Sequence, residues 1–165
     1  MDHVGRIQEA WRRERPDLDV RPQGTFGRLH RLAATLLDEL AVVYREHGLG
    51  DGEFDVLASL RRAGEPFERA PGELAAHTMV TSGATTKRID RLERQGYVTR
   101  RQSDLDGRGR IVALTPAGLE LVDELLAVHL ANEASILAPL TSTQRNELAL
   151  HLGALAASVE GPAHV

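Results

Sequence analysis

Cysteine is absent from this 165-residue chain. That excludes a disulfide frame, a thiolate nucleophile, a thiol switch and Cys-ligated zinc. No apolar run approaches the ~18 residues of a membrane-spanning helix, so no membrane partner is expected. The N-terminal stretch is polar and charged and lacks the apolar core of a signal peptide, which makes a cytoplasmic protein the expectation. The seven histidines (His3, His30, His47, His77, His129, His151 and His164) form no His-Glu-x-x-His pattern and no close His/carboxylate cluster on one helix. Gly-x-Ser-x-Gly is missing, and Gly83-Ala84-Thr85-Thr86-Lys87 lacks the second glycine and the preceding strand of a phosphate loop. Neither an enzyme nor a bound metal or cofactor is expected.

What is present is an uneven distribution of charge. The net charge is −4, which does not advertise a nucleic-acid binder. By segment, residues 1–80 sum to −3, residues 81–110 to +4 and residues 111–165 to −5. One short basic stretch stands in an acidic chain. Arginine outnumbers lysine 19 to 1, a bias that carries little functional information. The 42% hydrophobic content suffices for a packed core.

Periodicity predicts a mainly α chain with one small β-hairpin. Val4, Ile7 and Trp11 share a face of a first helix over 4–15, and Arg21-Pro22-Gln23-Gly24 suggests a linker. A long helix follows from Thr25 to His47. Its stripe is Phe26, His30, Ala33, Leu37, Leu40 and Tyr44, flanked by Leu29, Leu32, Leu36 and Val43. That apolar arc is wider than one neighbouring helix needs. A helix over 51–63 precedes a short one starting at Pro71, where Ala70 is a weak cap. Thr81 is positioned to cap a helix ending at Gln95, which Gly96 closes. Two short helices so joined suggest a helix-turn-helix. Strands at 97–101 and 110–114 flank the charged loop 103–109. Thr115-Pro116 opens a helix to Ala138, and Thr141 with Gln144 forms a capping box for a last helix to Ser158. Three segments result: N-terminal helices 1–48, a lobe 49–115, and C-terminal helices 116–165.

The chemistry concentrates in 81–110. Thr81, Ser82, Thr85, Thr86, Lys87, Arg88 and Arg91 supply small hydroxyls and cations on one helix, which can bond phosphate oxygens and base edges in a major groove. Arg108 and Arg110, at the hairpin, are placed to reach a minor groove. A basic helical face alone reads equally well as a solvated surface. Joined to a helix-turn-helix and a basic-tipped hairpin it describes a winged helix that binds double-stranded DNA.

These residues resemble a known family. Ser82 through Glu93, then Gly96-Tyr97-Val98, Asp106-Gly107-Arg108 and Leu114-Thr115-Pro116-Ala117-Gly118, are similar to the MarR family of bacterial winged-helix regulators, over nearly the whole chain. The resemblance implies a ligand-responsive repressor in the bacterial cytoplasm, at the nucleoid. It implies a homodimer with intertwined terminal helices on a pseudo-palindromic operator, Asp106 orienting the wing and Arg108 entering the minor groove. A dimer also follows from the wide apolar arcs, because large uncovered patches mark interfaces. The extra N-terminal helix resembles a urate-responsive branch, in which Trp11, Asp55 and Arg88 would enclose a small anionic effector, urate-like or a carboxylate. An indole face stacks on a flat ligand and a guanidinium pairs with its charge. Ser59 and Ala63 stand where that branch often has an asparagine. Trp11 as core and Asp55–Arg88 as a plain ion pair are the alternatives, together with a winged-helix protein that is architectural or answers to a protein partner. His30, on the dimer stripe, reads either as a satisfied core histidine or as a pair across the axis that protonation would drive apart.

Overall fold

The computed structural model describes residues 1–50, 52–78, 85–102 and 109–160. They divide into two compact units, Met1–Val122 and Asp123–Val165. The expected segments 1–48 and 49–115 thus fall within one unit.

Helix α1 (His3–Glu14) starts on Asp2, whose Oδ1 accepts from the Gly5 amide at 2.7 Å. That amide, and then Arg28 at 2.8 Å, hold the Asp2 carboxyl below its ordinary range. The buried residues of α1 are Val4 and Gln8, while Ile7 and Trp11 stay exposed. The face expected from Val4, Ile7 and Trp11 is therefore rotated. The cause lies on the neighbouring helix. Gln8 Nε2 donates to the Val20 carbonyl at 2.9 Å. Gly24 and Gly27 leave notches: a Cβ would lie 2.5 Å from Gln8 Nε2 at the first and 3.0 Å from Val4 Cγ1 at the second. The paired numbers run in opposite senses, so α1 lies antiparallel on the N-terminal half of α2.

Helix α2 spans Arg21–Glu46. Its first turn is Arg21-Pro22-Gln23-Gly24, the stretch expected to be a linker. Proline breaks a helix interior but is tolerated in the first turn, where its missing N–H costs nothing. Asp19 accepts from the Arg21 amide at 3.0 Å and from its guanidinium at 2.8 Å. Those bonds bring the Asp19 carboxyl down to about 2. Beyond this turn α2 buries little: only Gly24 and Ala41 are buried along its 26 residues. Phe26, Leu32, Leu37 and Val42 are exposed.

Tyr44 stacks on Phe54 (4.9 Å between centroids, 16° between planes) and ties the end of α2 to α3 (Glu53–Arg62). Helix α3 is the core of the lobe and packs on α4 (Pro71–His77), α5 (Thr85–Arg94) and a three-stranded antiparallel sheet. The sheet runs in the order β1 (Glu68–Arg69), β3 (Arg110–Leu114), β2 (Val98–Gln102). Register pairs Val98 with Leu114 and Gln102 with Arg110. The hairpin is thus as expected, but β1 is an addition. Ala70 starts α4 with help from Glu73, whose Oε2 accepts its amide at 3.3 Å. At the head of α6 (Pro116–Ile136), Thr115 Oγ1 accepts from Gly118 N at 3.0 Å and donates to Gly96 O at 2.7 Å. Gly118 crosses the Tyr97 backbone so closely that a Cβ would collide with its carbonyl oxygen. The whole is mainly α with a small sheet, the winged helix-turn-helix expected.

The second unit holds the rest of α6 and α7 (Ser142–Glu160). The expected capping box is present: Thr141 Oγ1 accepts from Gln144 N at 3.2 Å, and Gln144 Oε1 from Thr141 N at 2.9 Å. Leu130, Leu150 and Val159 are among its exposed apolar side chains. Among the described residues no helix is long and apolar enough to cross a membrane.

Candidate nucleic-acid interface

Helix α5 has two faces. Thr85, Ile89 and Leu92 recur at i, i+4, i+7 and all are buried. Thr85, an expected DNA contact, is only 6% exposed. Sharing the inward face with Ile89 and Leu92, it does not offer its hydroxyl to a phosphate, and the expectation for it is corrected. The outward face carries Thr86, Lys87, Asp90, Arg91 and Arg94, all exposed. The expected positions Thr81, Ser82, Asp106 and Arg108 lie outside the described residues.

The cations of α5 are not equally available. Arg88 is half-buried against the start of α3. A Cβ at Gly52 would lie 2.5 Å from its Cζ, and Gly52 itself has φ 73°, the left-handed region where glycine costs least. Arg91 Nε lies 3.2 Å from Glu53 Oε1, and Arg91 Nη2 lies 3.4 Å from the Gly48 carbonyl. Gln95 Nε2 donates to that carbonyl at 3.0 Å. A Cβ at Gly50 would stand 2.9 Å from Arg91 Nη1. Gly50 and Gly52 therefore make room for Arg91 and Arg88 of α5, while the Gly48 carbonyl accepts from Arg91 and Gln95. The alternation of these glycines is visible in the sequence, but the residues they meet are not.

The acids of α5 are neutralised from the sheet. Arg100 on β2 reaches Glu93 Oε2 at 2.5 Å and also pairs with Asp90. Burial disfavours the charge of Arg100, yet the bonds to Asp90 and Glu93 outweigh it and hold the guanidinium above its ordinary value. Arg101 pairs with Glu68 at 2.8 Å, so β1 answers a cation of the wing. Arg100, Arg101, Gln102 and Arg110 line a groove of about 180 Å³ at the wing's base. Arg110 is exposed there. Thr86, Lys87, Arg94 and Arg110 thus present outward hydroxyl and cationic groups, suited to phosphate oxygens and groove edges.

Trp11, Asp55 and Arg88 are not brought together within one chain. Asp55 lies in the first turn of α3, with Arg62 Nη2 3.9 Å from its carboxylate, beside the end of α2 that leads into the lobe. Trp11 sits one turn beyond Gln8, at the opposite end of α2. A 26-residue helix is about 39 Å long. A separate cavity of about 350 Å³ lies between α1 and α2, lined by Asp2, His3, Val4, Arg28, Arg31, Leu32 and Thr35. His30 is exposed on α2.

A family model described as MarR family matches residues 47–109. The HTH-type transcriptional regulator PecS of Dickeya dadantii is 36% identical over 150 residues, covering 91% of this chain and 90% of its own. The HTH-type transcriptional repressor Rv2887 of Mycobacterium tuberculosis is 34% identical over 119 residues, 72% of this chain and 84% of its own. Among solved structures, a mutant MarR from E. coli complexed with operator DNA superposes with a TM-score of 0.70 at 26% identity, covering 82% of this chain and 94% of the other.

Proposed function

The chain belongs to the MarR family of winged-helix transcriptional regulators, which bind DNA and are not enzymes, and from that premise we propose that it is a homodimeric repressor released from a pseudo-palindromic operator by a small anionic effector. The single observation that carries the DNA-binding part is the division of α5, with Thr85, Ile89 and Leu92 inward and Thr86, Lys87, Arg91 and Arg94 outward beside Arg110. Phe26 and Leu37, three helical turns apart on one face of α2, are both exposed and support the dimer. A two-fold dimer sets two such helices about one DNA turn apart, hence a palindromic site. The repressor reading leans on the name of the mycobacterial relative. To test binding, a duplex is selected by the protein from a random-sequence pool. Lys87→Ala, Arg94→Ala, Arg108→Ala and Arg110→Ala are each expected to weaken binding to it and to lower the salt slope by about one counterion. A protein that enriches no sequence would overturn the proposal.

The effector reading places Arg88 and Asp55 at the lobe and needs an indole that its own chain holds about a helix length away. The pocket therefore depends on the dimer proposal as well, because the start of α2, where Trp11 lies, is about a helix length from the lobe. Saturable quenching of Trp11 fluorescence by urate, xanthine or trans-aconitate, lost in Arg88→Ala, is the expected result. No response to the panel would favour the second reading, an effector-free or protein-regulated winged helix, which the separation of Trp11 from Arg88 within one chain already supports. His30 belongs to the dimer proposal. If it pairs across the axis, His30→Phe flattens the pH dependence of operator affinity between about pH 5.5 and pH 8; an unchanged profile removes that role.

A further inference from the structure

The carboxylate of Glu53 is only 3% exposed, on the first residue of α3. A buried carboxylate is costly unless it is paired and hydrogen-bonded. Glu53 meets both conditions. Oε2 accepts from the Gly50 amide at 2.5 Å, and Oε1 faces Arg91 Nε at 3.2 Å. Arg91 is an exposed member of the outward face of α5, with half of its side chain open to solvent. One guanidinium thus joins a buried anion, the Gly48 carbonyl and the surface expected to meet DNA. The glycine is what makes room for this arrangement, since a Cβ at Gly50 would stand 2.9 Å from Arg91 Nη1. It also stands directly after α2, so the end of that helix and the pitch of α5 are set at one place.

We propose that Glu53 is a positioning residue for DNA binding: through Arg91 and the Gly50 amide it fixes the seat of α5 on α3, and so sets operator affinity without touching DNA. The proposal rests on the reading of α5 as the DNA-contacting helix. Its signature differs from that of a phosphate contact. A residue that contacts phosphate changes the salt slope when removed. A residue that only seats the helix changes affinity at constant slope.

The experiment uses the full chain and the duplex selected by the wild-type protein. Glu53→Gln removes the charge with little change in shape. Gly50→Ala leaves every charge in place, is compatible with the backbone there, and drives a methyl against Arg91 Nη1, 2.9 Å from the Cβ position. Both are expected to lower affinity roughly fivefold to tenfold with the salt slope unchanged. Combined, they should cost less than the product of the two, since both act through Arg91. Thermal melts, run alongside, ensure that each variant is folded at the assay temperature. If both variants are folded and bind as the wild type does, the proposal is overturned. Tighter binding with a steeper slope in Glu53→Gln overturns it too, because Glu53 would then compete with DNA for Arg91. If the wild-type protein selects no duplex, it is the DNA-binding reading that has failed, and the positioning role falls with it.

Discussion

Helices α2 and α3 follow one another in the chain and are buried to very different extents. Seven of the ten residues of α3 are buried, among them Phe54, Val56, Leu57 and Leu60. Only two of the 26 residues of α2 are, and one of those is a glycine. The apolar content of α2 is not low; Phe26, Leu32, Leu37 and Val42 are all exposed. The lobe around α3 therefore completes its own core, whereas α2 leaves apolar side chains exposed, the surface on which the proposed dimer would rest. Burying a Leu or Phe side chain contributes ~1.5–3 kcal/mol, so covering Phe26 and Leu37 would favour the proposed dimer.

Four substitutions test this difference between α2 and the lobe. Leu57→Ala removes a fully buried side chain of the lobe and should cost about 2–5 kcal/mol in denaturant unfolding; a loss below about 1 kcal/mol would show that the lobe does not hold itself together. Leu37→Glu, on an exposed site, should leave the helical signal intact while shifting the protein to monomer in sedimentation. An unchanged oligomeric state would mean that the face of α2 bearing Leu37 has another purpose. Arg100→Ala strips Asp90 and Glu93 of their partner and should lower stability by about 1–3 kcal/mol. Two unneutralised carboxylates on α5 should also weaken DNA binding, and binding equal to that of the wild type would show that the clamp is not needed. Ser59→Ala has the smallest effect. The Ser59 hydroxyl is fully buried and has no hydrogen-bond partner among the described residues. Its removal should be neutral or stabilising by up to about 1 kcal/mol, and a clear destabilisation would reveal a hidden acceptor.

Features with local causes are legible in the amino-acid sequence. The Thr141–Gln144 capping box, the strand Arg110–Leu114 and the basic helix after a short helix all follow from neighbouring residues. Strand β1 is not legible, because two residues display no periodicity. The start of α2 is misplaced by the sequence pattern because Pro22 reads as a breaker until its position in the first turn is known. Thr85 is different: its spacing to Ile89 and Leu92 already points it inward, and the periodicity prevails over its hydroxyl chemistry. Glu53 and Arg91 are far apart in the chain, so only the packing of α3 on α5 could join them. The same holds for Trp11, whose distance from Arg88 depends on the direction in which α1 lies.

That direction has a mechanical consequence. Helix α1 grips α2 near Gly24 and Gly27, at one end, and the DNA-contacting lobe hangs from the other. A rod of about 39 Å held near one end is a lever. Tilting it by about 5° at the glycine notches carries the far end about 3 Å, over half the rise of one helical turn. A side chain added at Gly27, remote from any nucleotide, would act as a wedge under that lever and displace the lobe at its tip.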